Sequence, residues 1–243
     1  MFGYAVCLEP DWSKYILPDD LPFDAWVEFV FDHPVLEPRW WWQPPHSGHY
    51  QFWNDEARPA LTLSHLTTFF RSPGAVVERY SRSQIDQGLN YLFSNACSSH
   101  MFSLTNSTLL WTDRLACFEA IVPLYADLMS PVYGNDLGHL DRTHRDPTRP
   151  NYSCYMWWDN TPIHSNMDHP DRERIHDAVL AVFERVLTLK SEACCESVLH
   201  GLGHWHSDLP ERTKPMVRRF LQRTDISAEL RAYAELAAVG GVQ

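Results

Sequence analysis

The residues best suited to chemistry are a carboxylate and two imidazoles that recur at every fourth position, Glu196, His200 and His204. On an α-helix these three side chains would share one face. Two histidines and one carboxylate can hold iron or zinc while leaving coordination positions open. A hydrolytic zinc motif needs a glutamate between its histidines, whereas residues 201–203 are Gly-Leu-Gly. His206 would face nearly the opposite way for as long as the helix continues.

This Glu/His/His face has two interpretations. In the first, it is a metal site. In the second, it is a set of hydrogen-bonded polar residues at a contact between two helices, where Gly201 and Gly203 permit a close approach.

A second group of possible metal ligands lies in a stretch without helical periodicity. Acidic residues and histidines alternate there at short spacing: Asp136, His139, Asp141, His144 and Asp146. The spacing is not that of an EF-hand, and no closing glutamate follows at the required distance. Arg142, Arg145 and Arg149 are interspersed with these acids and would pair with them. The pattern therefore favours a solvated loop with salt bridges over a divalent-cation site.

The third candidate is an aromatic group, Trp40-Trp41-Trp42 with Trp53. Three consecutive tryptophans in an extended chain cannot all face one interior, because alternate side chains point in opposite directions. Exposed aromatic residues are favoured at protein contacts, so these four residues are candidates for binding another protein. The alternative is that they cap the open end of a helical stack, and the two interpretations are compatible.

Composition excludes some function classes. The chain has 243 residues and a formal charge of −11, which opposes binding to nucleic acid and favours a basic partner. We expect no secretory leader, because the start of the sequence lacks a basic region followed by an apolar run. We also expect no membrane span, and cysteines that stay reduced in the cytoplasm. Neither a serine nucleophile elbow nor a glycine-rich phosphate loop occurs.

The pattern of apolar residues predicts an all-α fold in a single domain. Residues 1–60 form an irregular, aromatic-rich segment, apart from a helix predicted from Phe23 to Phe31 with Asp20 as its cap. The alternation of Val27, Phe29 and Phe31 fits a strand equally well. Residues 61–243 form a stack of antiparallel helical hairpins, because some helices there carry two apolar stripes and must be covered on two sides.

Local signals place several elements within that stack. Ser81 and Gln84 form a capping-box pattern, and Pro123 should kink a helix that spans it. Residues 130–168 read as a loop with a short turn near residues 156–158. An irregular stretch of this length is either functional or contains an element that the apolar pattern does not show. Four helices follow, the first after Pro170 and the others over residues 192–204, 213–222 and 227–239.

Residues 171–239 resemble a degenerate run of HEAT-type helical repeats, and Glu196–Trp205 is similar to segments of bacterial proteins of undefined role. The regularly placed proline, aspartate and arginine of that family are absent here. The resemblance implies a binding scaffold and carries no catalytic residue across.

Two functions follow from these observations. The first is a non-enzymatic helical-repeat module that binds a basic protein, as inhibitors or immunity-type proteins of bacterial toxins do, without a cofactor. The alternative is a metal-dependent enzyme that uses Glu196, His200 and His204 to hold a divalent ion.

Overall fold

The computed structural model describes residues 12–140 and 151–242. Within those ranges the chain is helical and has no β-strand, only an isolated bridge between Ile16 and Phe52. The prediction of an all-α fold is confirmed. The α-helices are α1 (Phe23–Phe31), α2 (Pro59–Arg71), α3 (Pro73–Val77), α4 (Arg82–Phe93), α5 (Phe102–Thr105), α6 (Trp111–Pro123), α7 (Ser130–Tyr133), α8 (Tyr152–Tyr155), α9 (Trp157–Asn160), α10 (Arg172–Val186), α11 (Glu192–Trp205), α12 (Pro210–Phe220) and α13 (Ala228–Ala237).

The N-terminal part contains the predicted helix α1, which packs against α4. Its cap differs from the prediction: Pro22 occupies the N-cap position and no side chain caps the helix. Three-residue 3₁₀ turns at Trp40–Trp42 and Pro45–Ser47 follow α1. Trp40 packs edge-on against Phe29 of α1, so the aromatic segment shares its interior with the helices.

The middle helices follow their local signals. Ser81 and Gln84 make both hydrogen bonds of the capping box at the start of α4. Pro123 ends α6, and a π-helical turn from Leu124 to Met129 continues the helix into α7. Because proline lacks the N–H that would bond to the Glu119 carbonyl, the regular ladder stops there and the wider turn follows. Helix α6 packs against α2 and α10.

The segment from Trp111 to Leu140, which contains α6, the π-helical turn and α7, is long and apolar enough to cross a membrane, by length and composition alone. The sequence analysis expected no such stretch. Half of its most apolar window is buried inside the fold, and a core helix of a soluble protein meets the same criterion. The finding is therefore weak evidence for a membrane span.

Residues 130–168 are not simply a loop, because α7, α8 and α9 lie within them. Each of these helices has four residues, too few to produce a visible apolar period. Helix α12 also begins earlier than predicted. Its first residue is Pro210, which suits the first turn because its missing N–H has no partner there, and Pro215 lies inside the helix.

The last four helices alternate in direction. Arg212 contacts Asp177 at 2.6 Å, and seven residues further along each helix Arg219 contacts Glu184 at 3.0 Å. Residue numbers rise together along both helices, so α10 and α12 are parallel.

Helices α11 and α13 are parallel for the same reason. Glu192 at the start of α11 accepts a hydrogen bond from the Ser227 amide before α13, and His200 further along contacts Tyr233. Helix α11 also packs against α8, α9, α10 and α12. The helix that carries the Glu/His/His face is therefore enclosed on most sides.

Candidate metal centre

Helix α11, which carries both histidines, is capped at its N-terminus and buried along most of its length. The Ser191 hydroxyl caps its N-terminus by accepting a hydrogen bond from the Cys194 amide at 3.3 Å. Every residue from Ala193 to Gly203 is buried, whereas His204 near the C-terminus reaches solvent. A rigid helix therefore carries both histidines, one inside the protein and one at its edge.

A glycine on α11 lets a second element approach the histidines. A β-carbon at position 201 would lie 3.0 Å from the Trp158 Cβ and 3.1 Å from the Phe183 ring. Contacts that short are tighter than nine in ten real ones, so a side chain at position 201 would require α9 or Phe183 to shift by a few tenths of an ångström. Asp159 follows Trp158 on α9, and its carboxylate faces the two histidines.

The three side chains of Asp159, His200 and His204 form a compact group, here named the DHH cluster. Asp159 Oδ2 lies 3.1 Å from His200 Nε2, and Asp159 Oδ1 lies 3.1 Å from His204 Nε2. The two Nε2 atoms are 3.2 Å apart. One possible ligand atom from each residue lies within 4.8 Å of the others. The cluster is thus a two-histidine, one-carboxylate donor set.

These separations match those around a transition-metal ion. Two nitrogens 3.2 Å apart would subtend about 100° at an ion bonded to each at about 2.1 Å. That angle lies between the octahedral and tetrahedral values. His200 is 1% exposed, Asp159 26% and His204 44%, so one side of the cluster faces solvent. Any ion held here would keep coordination positions open on that side.

The protonation of the cluster suits a cation. Burial raises the pKa of Asp159, but its hydrogen bond with His200 and the nearby imidazoles outweigh burial and lower the pKa overall. For His204, burial lowers the pKa. The nearby Asp159 carboxylate raises it, and the His200 and His164 imidazoles lower it further. At neutral pH the carboxylate is therefore ionised and the His204 imidazole is neutral. A divalent metal ion needs its ligands in those forms.

A second layer of hydrogen bonds orients His200. Its Nδ1 lies 2.6 Å from the hydroxyl oxygen of Tyr233 on α13, and that oxygen lies 3.1 Å from the hydroxyl of Tyr155 on α8. The Tyr155 ring also packs on the imidazole, with 4.5 Å between ring centroids. Outer partners of this kind fix the tautomer and direction of a metal-binding histidine.

Glu196 does not join the cluster, although the sequence analysis grouped it with the two histidines. Its carboxylate is fully buried and accepts hydrogen bonds from the backbone amides of Gly138, at 2.6 Å, and His139, at 3.0 Å. It also pairs with the Nδ1 atom of His139. Glu196 therefore holds the 3₁₀ turn Gly138–Leu140 against α11, and Asp159 takes the carboxylate position beside His200 and His204.

The other predicted ligand group is only partly described. Asp136 pairs with Arg82 at 3.4 Å, and His139 pairs with Glu196. Asp141, His144 and Asp146, with the interspersed arginines, lie outside the described residues. His206 contacts the Thr213 hydroxyl at 3.2 Å and is outside the DHH cluster.

The four tryptophans proposed for protein binding differ in exposure. Trp40, Trp41 and Trp53 are buried, and the Trp53 indole N–H donates to the Pro18 carbonyl. Trp42 is 61% exposed. The structure therefore presents only one member of this group to solvent.

Sequence reasoning missed Asp159 and Tyr233. Both lie far along the chain from His200, so no local spacing connects them to it. The available signal was Gly201, since a glycine inside a buried helix indicates a close neighbour. Comparison with known proteins found no matching family model, no matching curated protein and no matching solved structure. The HEAT-type resemblance therefore stays a prediction.

Proposed function

We propose that this protein is a metal-dependent enzyme that binds one divalent first-row transition-metal ion at Asp159, His200 and His204. The observation that supports the proposal is the convergence of three ligand atoms from two separate helices within 4.8 Å of one another. Acidic residues clustered on a surface would not support this proposal. Here a buried imidazole, an exposed imidazole and a carboxylate lie within hydrogen-bond distance of one another.

The donor set limits the metal and its chemistry. Imidazole with carboxylate suits zinc, iron and cobalt better than calcium or magnesium, which prefer all-oxygen shells. Three protein ligands leave at least one position for water or substrate. An ion in that position acts as a Lewis acid and lowers the pKa of a bound water, which favours hydrolysis or hydration of a polar substrate.

Metal binding is tested on untagged protein stripped with a chelator. After reloading with Zn²⁺ and desalting, elemental analysis should give one zinc per chain for the wild type. The His204→Ala and Asp159→Asn variants should retain much less. His206→Ala is the matched control, because this histidine lies at the same helix end but contacts Thr213 instead of the cluster.

The open side is tested with Mn²⁺ as a paramagnetic probe. Exchange of water on the bound ion should enhance the relaxation rate of bulk water protons for the wild type and the His206→Ala control. Wild-type protein that retains no metal would contradict the proposal. A bound ion that leaves water relaxation unchanged would show a structural metal site without an open coordination position, which would contradict the proposed catalytic role.

A second proposal is that the exposed surface around Trp42 binds a basic protein. It is supported by the net charge of −11 and by the 61% exposure of Trp42. Capture from the source proteome should recover a basic protein with the wild type and lose it with Trp42→Ser. Phe102→Ser, which changes another exposed aromatic residue, serves as the control. Equal recovery by both variants would contradict the proposal.

A further inference from the structure

The inner nitrogen of the His200 imidazole, Nδ1, has the Tyr233 hydroxyl as its hydrogen-bond partner. The His200 side chain is 1% exposed, and its Nδ1 lies 2.6 Å from the Tyr233 oxygen. Its outer nitrogen, Nε2, faces Asp159 and His204. The two nitrogens of this ring therefore have different environments: Nδ1 faces α13, and Nε2 faces the DHH cluster.

Metal binding requires one tautomer of this ring. A neutral imidazole carries its proton on one nitrogen and coordinates through the other. Coordination through Nε2 places the proton on Nδ1, from which it must be donated to an acceptor. A buried N–H without an acceptor would cost free energy, so the Tyr233 oxygen decides whether this tautomer is favourable.

The Tyr233 hydroxyl can accept a hydrogen bond from His200 and donate its own proton to a second partner at the same time. It lies 3.1 Å from the Tyr155 hydroxyl, to which it can donate while it accepts from His200. The same hydroxyl can also donate to Nδ1 when the Nε2 atom carries the proton.

A second imidazole packs against the Tyr233 ring. The His139 ring stacks on it with 4.5 Å between centroids, and His139 is in turn paired with the buried Glu196 carboxylate. Glu196 thus contributes to the position of Tyr233 through His139, although it lies outside the DHH cluster.

We infer that Tyr233 is a positioning residue of the metal centre: its hydroxyl supplies the acceptor that the Nδ1–H of His200 requires and so stabilises the tautomer that leaves Nε2 free for a metal ion. The inference rests on the proposed metal site. One proton leaves Nε2 for solvent and one is taken up at Nδ1 when the tautomer changes, so the charge of the imidazole is unchanged.

Zinc affinity provides the first test. Competition with a chromophoric chelator should show that Tyr233→Phe weakens Zn²⁺ binding about 10- to 100-fold, the usual effect of removing an outer partner. Tyr125→Phe is the matched control. The Tyr125 hydroxyl is also buried and also bonds to α11, through Ser197 at 2.8 Å, but it does not touch the cluster. Its affinity should equal that of the wild type.

Nitrogen-15 NMR of the histidine rings provides a readout that a purely structural role would not change. In the zinc form of the wild type, His200 should carry its proton on Nδ1, with a downfield proton resonance typical of a short hydrogen bond. In zinc-loaded Tyr233→Phe that resonance should move upfield. In zinc-loaded Tyr125→Phe it should stay where it is in the wild type.

The outcomes separate this inference from the proposed function. Wild-type protein that binds no zinc would refute the metal site itself. Zinc binding by Tyr233→Phe within about threefold of the wild type, with binding still abolished by His204→Ala, would overturn the role of Tyr233 alone. If Tyr233→Phe does not fold, Tyr155→Phe decides in the same way, because it removes the acceptor of the Tyr233 hydroxyl. Unchanged affinity in that variant would overturn the inference.

Discussion

Gly201 lies so close to Trp158 that a β-carbon at position 201 would stand 3.0 Å from the Trp158 Cβ. The chain reaches Asp159 one residue later, and this carboxylate meets both histidines of α11. The distance between α9 and α11 therefore sets the geometry of the DHH cluster, and a residue without a side chain sets that distance.

Replacing Gly201 with alanine tests this dependence. Alanine favours the helix by about 1 kcal/mol, but the crowding against Trp158 and Phe183 should cost about 2 kcal/mol. We expect a net loss of about 1 kcal/mol in the free energy of unfolding and at least several-fold weaker Zn²⁺ binding, because α9 is pushed away. Gly74→Ala is the control, since its nearest new contact would be at 3.4 Å. Wild-type zinc affinity in Gly201→Ala would contradict the argument.

Zinc should stabilise the folded chain against heat. Free Zn²⁺ at 100 times its dissociation constant adds about 2.7 kcal/mol to the free energy of unfolding. For a chain of this length that corresponds to a rise in Tm of about 5–10 °C. Thermal unfolding followed by circular dichroism should show the rise for the wild type and His206→Ala. The same rise in His204→Ala would mean that zinc binds elsewhere.

Lower pH should destabilise the fold through its buried histidines. Burial lowers the pKa of His33, His65 and His176, although hydrogen bonds to the Phe29 and Leu21 carbonyls partly oppose it for the first two. Below the ordinary histidine pKa of about 6.5, the unfolded chain binds protons that the folded chain does not. The free energy of unfolding should therefore fall as pH decreases through this value towards the folded pKa of each histidine.

Urea unfolding at several pH values between 7.5 and 5.5 measures this effect. His65→Gln keeps an amide that can donate to the Leu21 carbonyl, as the His65 ring does at 2.8 Å, but removes the titrating group. Its stability should depend less steeply on pH than that of the wild type. His46→Gln changes an exposed histidine and should leave the slope unaltered. Equal slopes in all three proteins would exclude His65 as a source of the effect.

The ion pair between the buried Arg114 and the part-buried Asp171 should be costly to break. The Arg114 side chain is 2% exposed, and Asp171 accepts its hydrogen bond just before α10 begins. Asp171→Asn leaves the guanidinium buried without its counter-charge, which should lower the free energy of unfolding by about 3 kcal/mol. Urea denaturation measures the change. Glu28→Gln, which breaks the exposed pair with Arg79, should change stability little. Similar losses in both variants would contradict the dependence on burial.

Local features of the chain could be predicted from the sequence. The Ser81–Gln84 capping box and the interruption at Pro123 each depend on residues within a few positions of one another. Two histidines four residues apart likewise had to share a face if α11 was a helix. These predictions required no knowledge of which elements pack together.

The carboxylate of the cluster could not be predicted, because it depends on packing across the fold. Asp159 lies in a four-residue helix with no apolar period of its own, 41 residues before His200. Glu196 satisfied the local spacing rule, but the turn at Gly138 and His139 binds its carboxylate instead. Spacing alone does not show which of two acids on neighbouring elements will face the histidines.

The position of His200 and His204 in the last two turns of α11 has an electrostatic consequence. The backbone dipoles of a helix sum to a partial negative charge at its C-terminus, and that field attracts cations. The end of α11 therefore adds a preference for positive ligands that does not depend on any side chain. Even with both imidazoles neutral, this edge of the protein should repel phosphate and attract a metal ion.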